Sequence, residues 1–308
     1  MATQKNSFVE QARLMLQSLP YVLEEDVFAL KGGSAINFFI RDMPRLSVDI
    51  DLAYLPIGRR KQSLDNIEKA LQRIAQKIRV NLSGINIQEG KIQNSNMTNK
   101  IFVSNDETQI KIEPNLVIRG TAFPVEEHIL CSKAQKDFEL FLEARTVSFA
   151  DVFGGKICAA LDRQHPRDLY DIKLLLDNEG ITDEIRKGFL VYLISHSRPI
   201  HESLNPVMKE IKSAYEAEFQ GMVNEDVSYA ELVKVRSILV DLINKILTRD
   251  EKDFLISFKS GNPDWNLLGL DGIKDLPAVQ WKLINIQKIE KAKRKVLVSK
   301  LRDVLEKR

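Results

Sequence analysis

Two aspartates separated by one apolar residue, Asp49 and Asp51, constrain this chain more than any other feature of its sequence. They lie in the apolar segment 48–52, which is typical of a strand, and residues i and i+2 of a strand point to the same face. Two neighbouring carboxylates repel each other unless a cation neutralises them. Mg²⁺ suits such hard oxygen ligands and is usually held by one or two carboxylates plus substrate phosphates. The pair therefore predicts a divalent-metal site.

A glycine-bearing turn precedes the aspartates. Gly32 and Gly33 would let the backbone approach a phosphate closely. Ser34 is predicted to cap a helix over 35–40 and to offer its hydroxyl to the same phosphate. The turn and the aspartate pair together indicate a site for a metal-bound nucleotide.

A third acid, Glu113, follows in the segment 109–115, which alternates apolar and charged residues as a strand does. Taken alone, an acid in a strand is more often simply an exposed residue. Its position after the aspartate pair places it on the same sheet, where three carboxylates from neighbouring strands can hold two divalent ions. The three acids are therefore candidate metal ligands for an in-line displacement.

A second group of polar residues occupies the segment 153–171. Lys156 follows two glycines at a predicted helix start, where the helix dipole disfavours a cation, so contact with a triphosphate would explain it better. Asp168 and Asp171 lie one turn apart at the start of the next helix. Ion pairs within the helix, such as Asp171 with Arg167, are the competing explanation.

Length and composition describe an ordinary globular protein. The chain has 308 residues, enough for two domains, with 44% hydrophobic and 29% charged residues. No apolar run approaches the roughly 20 residues of a membrane span. Two cysteines, Cys131 and Cys158, have no paired spacing, which argues against a disulfide scaffold or a zinc site and makes the cytoplasm the expected location.

The periodicity predicts an α+β head over residues 1–145, with a mixed sheet and helices, and an α-helical domain over 146–308. Strands are predicted at 27–30, 48–54, 85–87, 100–104 and 109–118. Helices are predicted at 8–19 (ended by Pro20), 35–40, 64–78, 150–162, 167–178, 183–196, 206–220, 229–247 and 276–305.

Two basic clusters could contact phosphates. Arg59, Arg60 and Lys61 follow the aspartate strand, and the segment 282–308 carries ten basic residues against three acids. A solvated helix face explains the second cluster equally well.

The ordered motifs resemble the AbiEii/AbiGii-type nucleotidyltransferase toxins over roughly residues 28–178. The matching segments are 31–36, 45–52, 112–113, 155–160 and 167–171. The resemblance implies a polymerase-β-like nucleotidyltransferase head followed by a helical domain.

Carried over by position, the resemblance implies a role for each motif residue. Gly33 and Ser34 would hold the triphosphate and Asp49 and Asp51 the metals, with Glu113 as the third carboxylate. Lys156 would contact phosphate, and Asp168 would complete the site as a base, although family members often carry Glu-Lys where this chain has Gly155-Lys156.

The resemblance also implies a biological role. The chain would be a Mg²⁺-dependent enzyme, with Mn²⁺ as a substitute, and would be the toxin of a type IV-like toxin–antitoxin or phage-defence pair with a cognate antitoxin protein. It would transfer a nucleotidyl group from an NTP to RNA, since some relatives modify the acceptor end of tRNA. The alternatives are a transferase acting on a small molecule or a protein, as AMPylating enzymes do, and an inactive nucleotide-binding regulator.

Overall fold

A computed structural model describes residues 2–93 and 95–306, with side chains from residue 6 onward. Lys307 and Arg308 of the basic segment lie outside the described residues. The chain forms two compact units. The first comprises the chain up to Ser148 together with Glu218–Asp226, and the second comprises Phe149–Ala217 with the chain from Val227 onward.

The first unit is built on a seven-stranded sheet with the order β3-β4-β5-β2-β1-β7-β6. Its strands are β1 Phe28–Lys31, β2 Ile50–Tyr54, β3 Asn86–Lys91, β4 Thr98–Ser104, β5 Gln109–Pro114, β6 Glu126–Ile129 and β7 Glu143–Thr146. The pairs β2–β5 and β1–β7 are parallel, whereas the other neighbours run antiparallel. This mixed sheet with its helices confirms the predicted α+β class.

Four helices accompany the sheet: α1 Ala2–Leu23, α2 Gly32–Ala35, α3 Arg60–Asn81 and α4 Ser132–Phe138. The prediction that Pro20 ends the first helix is wrong, because α1 continues to Leu23 with Pro20 inside it. A proline in a helix interior removes one backbone hydrogen bond. Leu19 and Val22 are fully buried on either side of it, and their burial offsets that loss.

The glycine turn is itself helical. Its first turn, α2, begins at Gly32 and continues as a π-helical turn over Ile36–Ile40. Ser34 therefore lies inside the helix, and the prediction that it caps a helix starting at Ala35 is wrong. Lys31 occupies the N-cap position without a side-chain cap.

Sequence periodicity missed the strands β6 and β7 and the helix between them. Residues 126–129 read Glu-Glu-His-Ile, which has no apolar alternation, and both strands are only four residues long. Strand β6 is an edge strand, where burial is partial and the hydrophobic signal is correspondingly weak.

The second unit is wholly helical among its described residues. Its helices are α5 Phe149–Asp162, α6 Pro166–Asn178, α7 Asp183–Ser195, α8 Ile200–Leu204, α9 Lys212–Glu218 (whose last residue belongs to the first unit), α10 Tyr229–Ile246, α11 Arg249–Ser260, α12 Pro277–Gln287 and α13 Lys291–Glu306. Helix α11 was not predicted. None of the described helices is long and apolar enough to cross a membrane.

The helix predicted over 206–220 is shorter than expected, since only Lys212–Glu218 is helical. The buried side chain of Gln164 donates to the Val207 carbonyl (2.9 Å) and accepts from the Lys209 amide (2.9 Å). These bonds engage backbone groups that a helix would use for itself.

The segment Glu218–Asp226 departs from the predicted domain limits, because it packs with the first unit. Arg45 forms an isolated antiparallel bridge with Val223, and the Leu46 amide donates to the Met222 carbonyl (2.8 Å). A contribution from so distant a segment leaves no periodic signal in the sequence.

Helix α5 also begins earlier than the reasoning about Lys156 assumed. It starts at Phe149, so Gly154 and Gly155 lie inside the helix and Lys156 does not meet a helix N-terminus. A Cβ on Gly154 would lie 2.5 Å from the Phe189 amide nitrogen, and one on Gly188 would lie 2.6 Å from the Ala150 carbonyl. These glycines are explained by close packing of α5 against α7.

We therefore expect Gly154→Ala to lower the melting temperature. The added methyl meets backbone atoms that cannot rotate away, and such overpacking costs about 1–3 kcal/mol or more. Alanine gains about 1 kcal/mol over glycine in a helix, so a net loss shows that packing dominates. The control is Gly58→Ala, whose Cβ would meet only Ser63 Oγ at 3.8 Å. Equal melting temperatures for the two variants would contradict the close-packing explanation.

Candidate active site

A row of alternating-strand charges crosses one face of the sheet. In the parallel pairing of β2 with β5, Asp51 lies directly opposite Glu113. In the antiparallel pairing of β1 with β2, Lys31 lies opposite Asp51. On the far side, Lys100 of β4 contacts Glu113 with its Nζ 3.0 Å from Oε1. Two adjacent carboxylates are thus flanked by a lysine on each side.

Asp49 precedes β2 and turns its carboxylate towards β5. Its Oδ1 accepts a hydrogen bond from the Lys111 amide (3.2 Å). The Lys111 ammonium lies 2.8 Å from Glu113 Oε2. Burial lowers the pKa of Lys111, but Glu113, and then the charges of Asp49 and Asp51, outweigh it and raise this pKa overall. Lys111 is therefore the cation that the three acids share.

Glu113 is committed to lysines in this arrangement. Burial raises its pKa, yet hydrogen bonds from Lys111 and Lys100 outweigh burial and lower it. Among the residues that the structure describes, no group of three or more histidines, cysteines or acids is placed to hold a metal ion. The donor set that fits Mg²⁺ is the pair Asp49 and Asp51, which would leave the remaining ligand positions to substrate phosphates.

The glycine turn lies directly against the second aspartate. Gly32 has φ +68°, and a Cβ there would lie 3.0 Å from Asp51 Oδ2. A Cβ on Gly33 would lie 2.9 Å from both Arg45 Nη2 and Ser47 Oγ. Both glycines are thus required by close approach, and they bring backbone amides next to the Asp51 carboxylate.

Ser34 joins the turn to the aspartate segment. Its hydroxyl donates to the Asp49 carbonyl and lies 3.1 Å from Ser47 Oγ. Arg45, which is also buried, donates from Nη1 to the Leu46 carbonyl (2.8 Å). Sequence reasoning missed Arg45 and Ser47, although both immediately precede the aspartates.

Lys156 and Asp168 both belong to the second unit, where they form a buried ion cluster. The Lys156 ammonium lies 2.8 Å from Asp168 Oδ1 and 3.0 Å from Asp171 Oδ2, and the three side chains are at most 5% exposed. Lys156 therefore pairs with two acids from the next helix. Asp171 pairs with Lys156 as well, which the sequence-based suggestion of Arg167 did not foresee.

The exposed cation of this cluster is Arg163. Its side chain is 62% exposed, and its Nη2 donates to Asp168 Oδ1 (2.9 Å). Burial raises the pKa of Asp168, but the charges of Lys156 and Arg163 outweigh burial and hold this pKa well below its usual range. A carboxylate with so low a pKa is a weak base at neutral pH.

The basic segment near the end of the chain contributes mostly exposed side chains. Lys291, Lys293 and Lys295 are exposed on α13. Arg294 differs, because its Nη1 donates to the carbonyls of Ile286 (3.4 Å) and Gln287 (3.3 Å) at the end of α12. Arg294 thus has a structural role that its neighbours lack.

Comparison with known proteins identifies the family. A family described as "Nucleotidyl transferase AbiEii toxin, Type IV TA system" matches residues 13–285. The chain belongs to this family of nucleotidyltransferase toxins of type IV toxin–antitoxin systems. The resemblance noted from the sequence motifs is therefore confirmed.

Among solved structures, the chain is similar to MenT4, a nucleotidyltransferase toxin from Mycobacterium tuberculosis H37Rv. The TM-score is 0.55 at 15% identity, over 90% of this chain and 91% of that one. This likeness supports the fold. Curated protein sequences give no significant match.

We expect Lys156→Met to destabilise the protein strongly. The change leaves Asp171, which is fully buried, without this cation, and breaking a buried ion pair by removing one partner costs about 3–5 kcal/mol. The double variant Lys156→Met/Asp171→Asn should recover part of the loss. The control is Lys173→Met, which breaks a partly exposed pair with Asp177 and should cost at most about 1 kcal/mol.

Urea unfolding at a series of pH values measures this effect. Because the folded-state pKa of Asp168 is lowered, its contribution is complete above its unfolded value of about 3.9 and is lost as the pH falls through the folded pKa. Wild type and Lys156→Met should therefore converge in acid. Equal midpoints for the two proteins at pH 7 would contradict a stabilising ion cluster.

Proposed function

We propose that this protein transfers a nucleotidyl group from an NTP to an RNA acceptor. The observation that carries the proposal is the contact between the glycine turn and Asp51, on the sheet face that also presents Asp49, Lys111 and Glu113. Backbone amides, carboxylates and lysines next to one another are what a metal-bound triphosphate needs.

Asp49 and Asp51 are proposed to hold Mg²⁺. When bound, Mg²⁺ would neutralise charge on the phosphate oxygens and lower the barrier to attack on phosphorus. Glu113 would have to release Lys100 or Lys111 to become a third ligand. We therefore assign Glu113 chiefly to orienting these two lysines.

The chain's own residues then have distinct roles. The amides of Gly33 and Ser34 would hold phosphate oxygens, and Lys111 would stabilise the negative charge that develops as the acceptor hydroxyl attacks the α-phosphorus and pyrophosphate departs. In the second unit, Asp168 and Asp171 fix Lys156, and Arg163 is the cation of this cluster that solvent can reach. We propose Arg163 and Lys156 as phosphate-contacting residues, with Arg163 the more accessible.

The acceptor class separates the proposal from its alternatives. Purified protein would be incubated with Mg²⁺, each labelled NTP in turn, and total cellular RNA or protein. Label entering RNA supports the proposal. Label entering protein or a small molecule supports the alternative transferases, and binding of NTP without transfer supports an inactive regulator.

We expect Asp51→Asn to reduce nucleotidyl transfer by about 100-fold or more. Loss of a metal ligand should cost more than the 10–100-fold typical of an outer-shell partner. The melting temperature should stay equal or rise slightly, because the change relieves repulsion from Glu113. Asp106→Asn is the control, since Asp106 is exposed in the turn between β4 and β5. Full turnover of Asp51→Asn with Mg²⁺ would refute the metal assignment.

We also expect induced expression of the wild-type protein to arrest bacterial growth, as membership of a toxin family implies. The variant Asp51→Ala should grow normally at equal soluble expression, because it lacks transfer activity. Growth curves with protein quantification provide the measurement. Normal growth at confirmed high levels of soluble wild-type protein would contradict a toxic activity in that host.

A further inference from the structure

Arg119 is a buried cation whose hydrogen-bonding capacity is not used within the protein. Its side chain lies in a residue that is only 4% exposed. Its Nε and Nη1 reach no acceptor among the described residues. Burying a charge is costly unless it is paired. A guanidinium in this position therefore calls for an anion.

The surroundings of Arg119 are themselves positive. The Gly120 amide donates to the Tyr54 carbonyl (2.8 Å), which places the loop at the end of β2. Burial, and then the positive charge of Arg60, lower the pKa of Arg119. Arg119 thus faces the start of α3, where Asn66 also donates to the Tyr54 hydroxyl (3.3 Å).

Helix α3 begins with the wrong charge for a helix by itself. Its N-cap residue, Arg59, makes no side-chain cap, and the first turn holds Arg60 and Lys61 with no acid. The N-terminus of a helix carries unsatisfied amides and a partial positive charge, so cations there are unfavourable. An anion would reverse both penalties.

A surface pocket of about 380 Å³ lies on this end of α3. Its lining comprises three cations, one acid and two amides, namely Arg59, Lys61, Lys69, Asp65, Gln62 and Asn66. The net charge of the lining is positive even with Asp65 included. The pocket, the uncapped helix start and the buried guanidinium are three separate features that share one preference.

We propose that Arg119 and the first turn of α3 form a binding site for a backbone phosphate of the acceptor nucleic acid. Phosphate oxygens would accept from Arg119 and from the helix amides, and Arg guanidinium pairs with phosphate particularly well. The identification of the anion as the acceptor's rests on the proposed function.

The position along β2 separates this site from the aspartate pair. Tyr54 follows Asp51 by three residues, which is about 10 Å along a strand, and it points to the opposite face. One phosphate cannot occupy both places. The arrangement suits a second phosphate in a chain whose end lies near the carboxylates.

Inorganic phosphate is the first probe. Thermal unfolding of the full chain would be followed across a phosphate series, with chloride at matched ionic strength as the reference. We expect a saturable rise in the melting temperature of wild type that Arg119→Gln abolishes. In chloride, Arg119→Gln should be as stable as wild type or more stable, because it removes a buried unpaired charge.

Two further variants keep the test decisive. Arg60 is exposed, so Arg60→Gln should fold normally and still weaken the phosphate response. Arg79 is exposed in the last turn of the same helix, and Arg79→Gln should leave the response unchanged. An identical phosphate response in wild type, Arg119→Gln and Arg60→Gln would overturn the site.

Binding of a labelled single-stranded RNA oligomer tests the assignment to the acceptor. Arg119→Gln and Arg60→Gln should each lower RNA affinity about tenfold at low salt, with a shallower salt dependence than wild type. NTP affinity, measured by titration calorimetry, should stay unchanged. Unchanged RNA affinity would overturn the assignment to the acceptor. The phosphate series needs no turnover, so its failure is distinguishable from failure of the proposed transfer reaction.

Discussion

The arrangement of the candidate site depends on one electrostatic constraint, the pairing of Asp51 with Glu113 across two parallel strands. Side chains alternate along a strand, so a shift of one residue in this register would turn Asp51 into the core and expose Ile50 or Leu52. The buried residues of β2 hold the register, and the register holds the two carboxylates together. Lys100, Lys111 and Lys31 then make that closeness tolerable.

The second unit solves a similar problem without solvent. Asp168 and Asp171 are buried on α6, and Lys156 reaches both from α5. The glycines at 154 and 188 let α5 approach α7 at backbone distance. Helix packing thus places Lys156, which explains why a glycine pair precedes a lysine in this sequence. The pattern that suggested a phosphate loop also has a packing cause.

The sequence allowed much of this to be predicted where the signal is local. Alternation and composition identified the strands β1, β2, β4 and β5 and the pairing of Glu113 with the aspartates on one sheet. Lys100 and Lys111 could not be recognised, because their role depends on strand register between distant segments. Arg119 could not either, since its partners lie on α3. The polar edge strand β6 gave no periodicity to detect.

The charges on the sheet face balance before any ligand binds, since Lys31, Lys100 and Lys111 face Asp49, Asp51 and Glu113. A triphosphate alone would therefore meet as much repulsion as attraction there. If the carboxylates are neutralised from another source, Lys100 and Lys111 lose their reason to hold Glu113 and can pair with phosphate oxygens instead. Exchange of ionic partners then makes nucleotide and cation bind together more favourably than either binds alone, because each relieves the charge that opposes the other.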